Sequence, residues 1–419
     1  MRDREARELV QLFQAGKISR RDLLARAAML GLSLGVLGGV GLRPAGAAGM
    51  TEVKVGVDLP MSGGEAPNGV PTNNGVIMAI EEANKAGGMY HFSESLKDDA
   101  VNGVHDPAQG AKNMQELIAD SSVVGIVGNF NSNVAQACIP ITNAAGIVQI
   151  SPSQTNPGLT KPAFGALKLY PNGQRSKITY FRVCATDDLQ GPVAADYAYR
   201  TLKARKIAIL DDTETYGKGI ADQVEMEFKK LGGQVLSHDG IPKGTQDFHA
   251  ILTKIKAENP DLIFFGGVTT TGGGLIRKQM ADVGLKTAFE GGDGIVEDEF
   301  LKVAGDQAEG SYGTVAAIDA TKVASAQGFI KTYKARFNDD PGAYSANGYT
   351  CTRIILDAVK AVGPDREKVR AWVASLKNYK SILGTFSFDQ NGDTTNRIIT
   401  VYTVKGGKWT WADQVNFNG

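Results

Sequence analysis

The sequence predicts an α/β protein of two Rossmann-like lobes, and three features say so. After about residue 50, short apolar runs alternate with longer helical patterns, the mark of βαβ units around a parallel sheet. The series runs twice, once from Val53 and again from Lys206. The length of 419 residues suits two ordinary domains of roughly 100–200 residues each. No low-complexity linker separates the two series, so the lobes are expected to meet across a cleft, joined by short crossings.

Each element has its own signal. Val53, Val55, Val57 and Leu59 alternate as a strand that ends in the Met61-Ser62-Gly63-Gly64 turn. Val76, Ile77, Ala79, Ile80 and Ala83 follow at helical spacing, stopped by Gly87-Gly88. Val123 to Gly128 reads as a second strand, leading through Asn129 to Asn133 into another helix. Gly146 to Ser151 is a third strand, cut off by Pro152. In the second series Lys206–Leu210 is a strand, Asp211–Gly217 a loop and Ile220–Leu231 an amphipathic helix ended by Gly232-Gly233. Val235–Ile241 and Asp261–Phe265 are further strands, with a helix over Phe248–Lys256 between them.

The first fifty residues stand apart. Ser19-Arg20-Arg21-Asp22-Leu23-Leu24 precedes an uncharged, Gly-rich run from Ala27 to Leu42. Ala45-Gly46-Ala47 then offers small residues of the kind a signal peptidase accepts. This arrangement predicts a twin-arginine export signal over residues 1–49, cleaved near Ala47 to Met50. A transmembrane anchor is the rival reading. A bilayer core asks for about 20 predominantly apolar residues, and this run is shorter and broken by Gly31, Gly35, Gly38, Gly39 and Gly41. No cysteine lies near the cleavage site to carry a lipid.

Composition is that of a soluble globular protein, 42% hydrophobic and 21% charged. Residues 1–49 carry eight basic and four acidic side chains, leaving 37 Lys+Arg against 41 Asp+Glu, a net charge near −4. Nucleic-acid binding calls for a basic face, which this balance does not offer. Cys138, Cys184 and Cys351 are too few and too scattered for a disulfide framework. Cys138 and Cys351 sit in apolar, helix-like stretches, where a free Cys packs as a small hydrophobe.

Catalytic signatures are missing. Gly272-Gly273-Gly274 lacks the Lys of a phosphate-binding loop and reads as a loop or helix start. His91, His105, His238 and His249 show no metal-ligand spacing, and no cofactor is expected. His105 beside Asp106 reads as a solvated loop pair rather than acid–base machinery. Binding is better supported, since ligands of open α/β sheets sit beyond the carboxyl ends of the strands. Gly128 to Ser132 lies at such a place, where Ser132 and nearby backbone N–H groups face a carboxylate at a positive helix end. The plainer alternative for Ser132 is an ordinary N-cap. Ser151-Pro152-Ser153-Gln154-Thr155, after the next strand, adds hydroxyls nearby.

Taken in order, these segments resemble a known family. Val55-Gly56-Val57 with Met61-Ser62-Gly63, the helix Ala79 to Gly88, Asp98-Asp99, Asp106-Pro107, and Ile150-Ser151-Pro152 with Thr155-Asn156-Pro157 carry the likeness in the first lobe. Gln190-Gly191-Pro192, Asp211-Asp212, Tyr216 to Gly219, Asp247-Phe248, Pro260 to Phe264 and Phe388 to Asp393 carry it in the second. The chain resembles the periplasmic solute-binding proteins of branched-chain amino-acid-type ABC importers, the leucine/isoleucine/valine-binding group, across essentially all of residues 50–419.

That resemblance implies a type I binding-protein fold with three strand crossings. Residues 50–185 and 318–386 then form one lobe, and residues 186–317 and 387–419 the other. It implies a monomer that closes on a small solute and docks on a membrane permease, with no bond chemistry. It also implies roles at the site. Ser132 and Thr155 hold the ligand carboxylate, and backbone of the Ser153-Gln154 loop helps hold the ammonium. Tyr216 closes over the ligand, and Asp293, standing for the family's Glu, pairs with the ammonium. Departures accompany the match. Asn68 stands where amino-acid binders place an aromatic, which makes it a candidate contact in a larger or more polar pocket. Val268-Thr269 replaces another aromatic pair. The cysteines that form a disulfide in some relatives fall at His105 and Asn131. The solute is accordingly an amino acid, branched-chain or related, or a small carboxylate or amide. A sensor of the same fold, presenting its solute to a receptor, and an exported enzyme are the other readings.

Overall fold

A computed structural model describes residues 50–417; the expected export signal lies outside them. The first sheet takes β1 (Thr51–Leu59), β2 (Tyr90–Asp98), β5 (Val123–Gly128), β6 (Val148–Ser151) and β7 (Tyr180–Arg182), in the order β2-β1-β5-β6-β7. A two-residue hairpin, β3 (Ala100–Val101) with β4 (Val104–His105), interrupts the series after β2. The β1–β5, β5–β6 and β6–β7 pairs are parallel. Every residue of β5 is buried. A parallel strand covered on both faces reads as an unbroken apolar run, and Val123-Val124-Gly125-Ile126-Val127 is such a run.

The second sheet holds β8 (Lys206–Asp211), β9 (Gln234–Gly240), β10 (Leu262–Gly266), β11 (Ala288–Gly291) and β12 (Ser311–Val315), all joined in parallel. The hairpin β13 (Tyr379–Ser381) and β14 (Gly384–Phe386) precedes β15 (Ile398–Lys405) and β16 (Lys408–Asn416), which add an antiparallel edge. The sheet order is β16-β15-β12-β11-β10-β8-β9.

Three passages link the sheets. The first runs from β7 into the helix Asp187–Asp196, which packs on β12 and β15. The second runs from β12 back to the helices Gln327–Phe337 and Ser345–Val362, which pack on the helix Ala66–Lys85 of the first sheet. The third leads from β14 to β15. Arg182, fully buried at the end of β7, ties the first and third passages by an ion pair of 2.7 Å to Asp393.

Each lobe has its own core. Met114, Leu117, Val123, Ile126, Val134, Cys138 and Ile147 pack together in the first, and Ile207, Ile209, Ile220, Val224, Phe228, Leu262 and Phe264 in the second. The helices Ala66–Lys85 and Ser345–Val362 meet unusually closely. A Cβ on Gly75 would lie 2.1 Å from the Ser345 carbonyl oxygen, and one on Gly348 would lie 2.4 Å from that of Thr72. Gly in a helix interior costs roughly 0.5–1 kcal/mol against Ala, and here the close crossing requires it. This pairing fixes Tyr344, the residue before the second helix, in place.

Candidate functional site

The carboxyl ends of both sheets face one another, and their loops supply the site. From the first lobe come Phe130, Asn131 and Ser132 after β5, with Ser153 and Thr155 after β6. From the second come Tyr216 at the start of the helix Thr215–Lys230, Val268 after β10, and Asp293 and Gly294 after β11. Together they line a cavity of about 20 Å³.

The first-lobe loops are held by a polar lattice beneath them. Asp58, at the end of β1, accepts from Asn113 at 2.7 Å and from Asn129, and burial pushes its carboxyl up to about 8. Gln149 donates to the Gly128 carbonyl at 3.0 Å. Ser151 Oγ accepts from the backbone N–H groups of Ser153 and Gln154 at 3.2 and 2.9 Å, and Ser153 Oγ donates to the Phe130 carbonyl at 2.9 Å. One buried oxygen on these loops, Asn131 Oδ1, has no hydrogen-bond partner among the described residues, while the Thr155 hydroxyl lies against the buried Asp187 carboxyl. Buried polar atoms normally find partners, so the Asn131 oxygen is poised for a group entering the cavity.

Asp293 dominates the opposite wall. Its Oδ1 accepts from Gln190 at 2.7 Å and from the Tyr216 hydroxyl at 2.8 Å, and its Oδ2 accepts from the Tyr344 hydroxyl at 2.9 Å. Tyr216 in turn accepts from the Gly294 N–H at 3.1 Å. Burial raises the carboxyl above its ordinary value, while the three donors work against that rise. Asp187, wholly buried on the first crossing, is also pushed up by burial and then by the charge of Asp293. Asp293 thus places a carboxyl opposite the hydroxyls of the first lobe.

Five of the seven residues singled out from sequence, Ser132, Ser153, Thr155, Tyr216 and Asp293, lie around this one cavity. Ser132 is the first residue of its helix, with Asn131 in the N-cap position. Its hydroxyl accepts from the Asn156 N–H at 3.4 Å. Gln154 is buried behind the wall. Its side chain bonds the Asn131 carbonyl and the Tyr180 hydroxyl, and its carbonyl accepts from Arg182. Asn68 is not among the lining residues. It lies in the first turn of the helix Ala66–Lys85, where its carbonyl accepts from Thr72.

His105 corrects the sequence reading outright. It is 2% exposed, its ring held between Glu65 and Glu214 at 2.6 Å on each nitrogen. Asp106 faces away from it in function, capping the helix Pro107–Ala119 through the Gln109 N–H. The neighbouring-residue view failed because both partners are distant in sequence. Tyr344 and Gln190 were also missed as partners of Asp293. Gln190 sat in a segment already matched to the family, whereas nothing local marks Tyr344.

Two lobes around a cleft, with hydroxyls on one wall and a carboxylate on the other, define a bilobal solute-binding protein. The family described as Periplasmic binding protein matches residues 52–408, and the chain belongs to it. Its members bind solutes and are not enzymes, and the family implies a periplasmic location. The chain is similar to the Leu/Ile/Val-binding protein homolog 1 of Brucella abortus (strain 2308), 33% identical over 349 residues, 83% of this chain and 89% of that one. It is also similar to the leucine-binding protein LivK of Thermotoga maritima MSB8, at 27% identity and a TM-score of 0.77 over 87% of this chain and 99% of that one. LivJ of Streptococcus pneumoniae, a branched-chain amino acid transporter substrate-binding protein solved with isoleucine, matches at 27% identity and a TM-score of 0.77, covering 87% and 100%.

Proposed function

We propose that this chain captures an α-amino acid, branched-chain or closely related, and hands it to the permease of an ABC importer. The observation that carries this reading is the opposition of Asp293 to Ser132 and Thr155 around one cavity. A carboxylate on one wall suits an ammonium, and hydroxyls at a helix start on the other suit a carboxylate. The names of the relatives, which bind leucine, isoleucine or valine, support the same class.

The cavity of about 20 Å³ is room for about one water and far too small for an amino acid. A solute therefore enters when the lobes part, and is enclosed when they return, a shift between two populations about the three crossings. The twin-arginine segment supports export of the folded chain, which acts as a monomer in the periplasm.

The test is a thermal-shift screen of residues 50–419 against the amino acids, aromatic and short aliphatic carboxylates and small amides, with calorimetry on each hit. A ligand at a hundredfold excess over its Kd stabilises by about 2.7 kcal/mol, which such a screen resolves. A hit on an α-amino acid supports the reading. A hit confined to carboxylates without an amine removes the ammonium role from Asp293, and silence across the panel overturns the ligand class.

A further inference from the structure

The lobes also touch beside the cavity, through residues that do not line it, and there the contact is ionic. His105 on β4 belongs to the first lobe, as does Glu65 in the short helical turn Gly63–Glu65. Glu214, just before the helix Thr215–Lys230, belongs to the second. The ring Nδ1 meets Glu65 Oε1 and Nε2 meets Glu214 Oε2, both at 2.6 Å, with the ring side chain 1% exposed and the Glu214 side chain 13%. Two further bonds cross at this point. Thr270 of the second lobe donates to Glu65 Oε1 at 2.7 Å, and Asn133 of the first donates to Glu214 Oε2 at 2.9 Å.

We propose that His105 is the latch of the closed form: as an imidazolium it ties Glu65 of one lobe to Glu214 of the other, and so sets how tightly a solute is retained without touching it. The proposal rests on the closure reading above.

The chemistry requires the charged ring. Both partners are carboxylates, which only accept, and an imidazole donates from both nitrogens only when protonated. A neutral ring has one N–H and must turn a lone pair on one of the two glutamates. Burial alone would strip the proton, but the charges and hydrogen bonds of Glu65 and Glu214 outweigh it and hold His105 well above its ordinary value. The other charged groups at this point act in the same direction or sit outside the bond. Asp99 lies near with a carboxyl that burial pushes well up. Asp212, beside Glu214, is pushed up to about 7 by burial, so its ionisation near neutrality adds negative charge facing the ring. Lys243 bonds the far oxygen of Glu214 at 3.4 Å.

The sign of the pH effect follows. His105 has a raised value in the closed form, so the latch is complete while the ring keeps its proton and is lost as pH climbs through that raised value. Glu65 and Glu214 are both held below their ordinary values, their bonds to His105 outweighing burial, so acidification leaves the latch intact until well into the acid range. When the lobes part, Glu65 stays with His105 and Glu214 leaves. The pH-dependent part of closure therefore belongs to the Glu214 arm.

The experiment measures interlobe distance by spin-label pairs at Gln115→Cys and Ala257→Cys, both exposed, in the full residue 50–419 chain. The three native thiols are buried and leave labelling to the introduced ones. Distances are recorded over roughly pH 6 to 10, a range that spans histidine values raised from 6.5, with and without L-leucine. In the parent chain the closed fraction falls as pH rises above neutrality. Glu214→Gln, which leaves the buried His105–Glu65 pair untouched, lowers the closed-to-open ratio at least about fivefold and flattens the pH profile; His105→Gln does the same. Closed fractions and profiles unchanged in both variants, while L-leucine still shifts the parent's distances, overturn the latch alone. One invariant distance in every variant and condition overturns the closure reading together with it.

Discussion

Tyr344 and Asp293 meet across the cleft, the phenol donating to Oδ2 at 2.9 Å over a separation of 51 residues. Tyr344 is anchored by the helix pair of the first lobe and by an edge-to-face contact with Phe130 at 5.7 Å. Asp293 follows β11 of the second lobe. The bond therefore exists only while the lobes are together, and it aims the carboxylate at the same time.

Tyr344→Phe removes that bond and keeps the ring. A hydrogen bond to a charged group contributes about 1.5–3 kcal/mol, so affinity for the solute falls roughly tenfold or more. The loss falls on the dissociation rate, since encounter is unaffected. Calorimetry with stopped-flow fluorescence separates the two, and an unchanged off-rate removes Tyr344 from the closed-state clamp.

Asp293→Asn keeps the shape and removes the charge. Leaving a buried charge without its partner costs about 2–5 kcal/mol, so an ammonium-bearing ligand binds at least about thirtyfold more weakly while circular dichroism stays unchanged. The pH dependence has a definite sign. Burial raises the Asp293 carboxyl, so affinity for an ammonium fades on acidification at a higher pH than an ordinary aspartate near 3.9 would dictate. Calorimetry on an acid series reads this directly, and the Asn variant shows no such fade.

Ser132→Ala and Thr155→Ala test the opposite wall. A hydrogen bond to a charged group contributes about 1.5–3 kcal/mol, so each change weakens a carboxylate ligand by roughly tenfold or more. Equal affinity in both variants returns the two residues to loop structure alone.

Local pattern carried the strands, because a parallel strand such as β5 is apolar along its whole length, and it carried Ser132 and Thr155, because strand ends and helix starts are marked by Gly, Ser and Pro. Tyr216 and Asp293 came from family likeness, since neither stands out by spacing. What stayed hidden is what depends on distant segments meeting. Tyr344 reaches Asp293 through the second crossing, and His105 finds Glu214 at 109 residues' separation. Asn68 is not among the residues around the cavity for a related reason. A loop aligned by likeness to an aromatic position became the first turn of a helix, which placed its side chain off the cavity wall.

The native thiols should be chemically silent. Cys138, Cys184 and Cys351 are unpaired and buried, and burial pushes each thiol up, away from the reactive thiolate. A thiol reagent added to the folded protein titrates none of them at neutral pH and all three after denaturation. A thiol that reacts in the native state marks local opening around its helix or strand.

The last prediction concerns the hinge. Arg182 is completely buried, and besides Asp393 it donates to the carbonyls of Gln154 and Asn156 at 2.9 and 2.8 Å. One guanidinium thus joins the first crossing, the third crossing and the loop that carries Thr155. Asp393→Asn leaves that buried cation without its counter-charge, and breaking such a pair costs about 3–5 kcal/mol. Thermal unfolding shifts down by several degrees, and the site loosens with it because the Thr155 loop shares the same anchor. Arg182→Met, which removes the charge itself and fills the space, destabilises less than Asp393→Asn, although it frees the two carbonyls. A reversed order of the two variants in calorimetric melting assigns the larger share of the anchor to the carbonyl bonds instead of the ion pair.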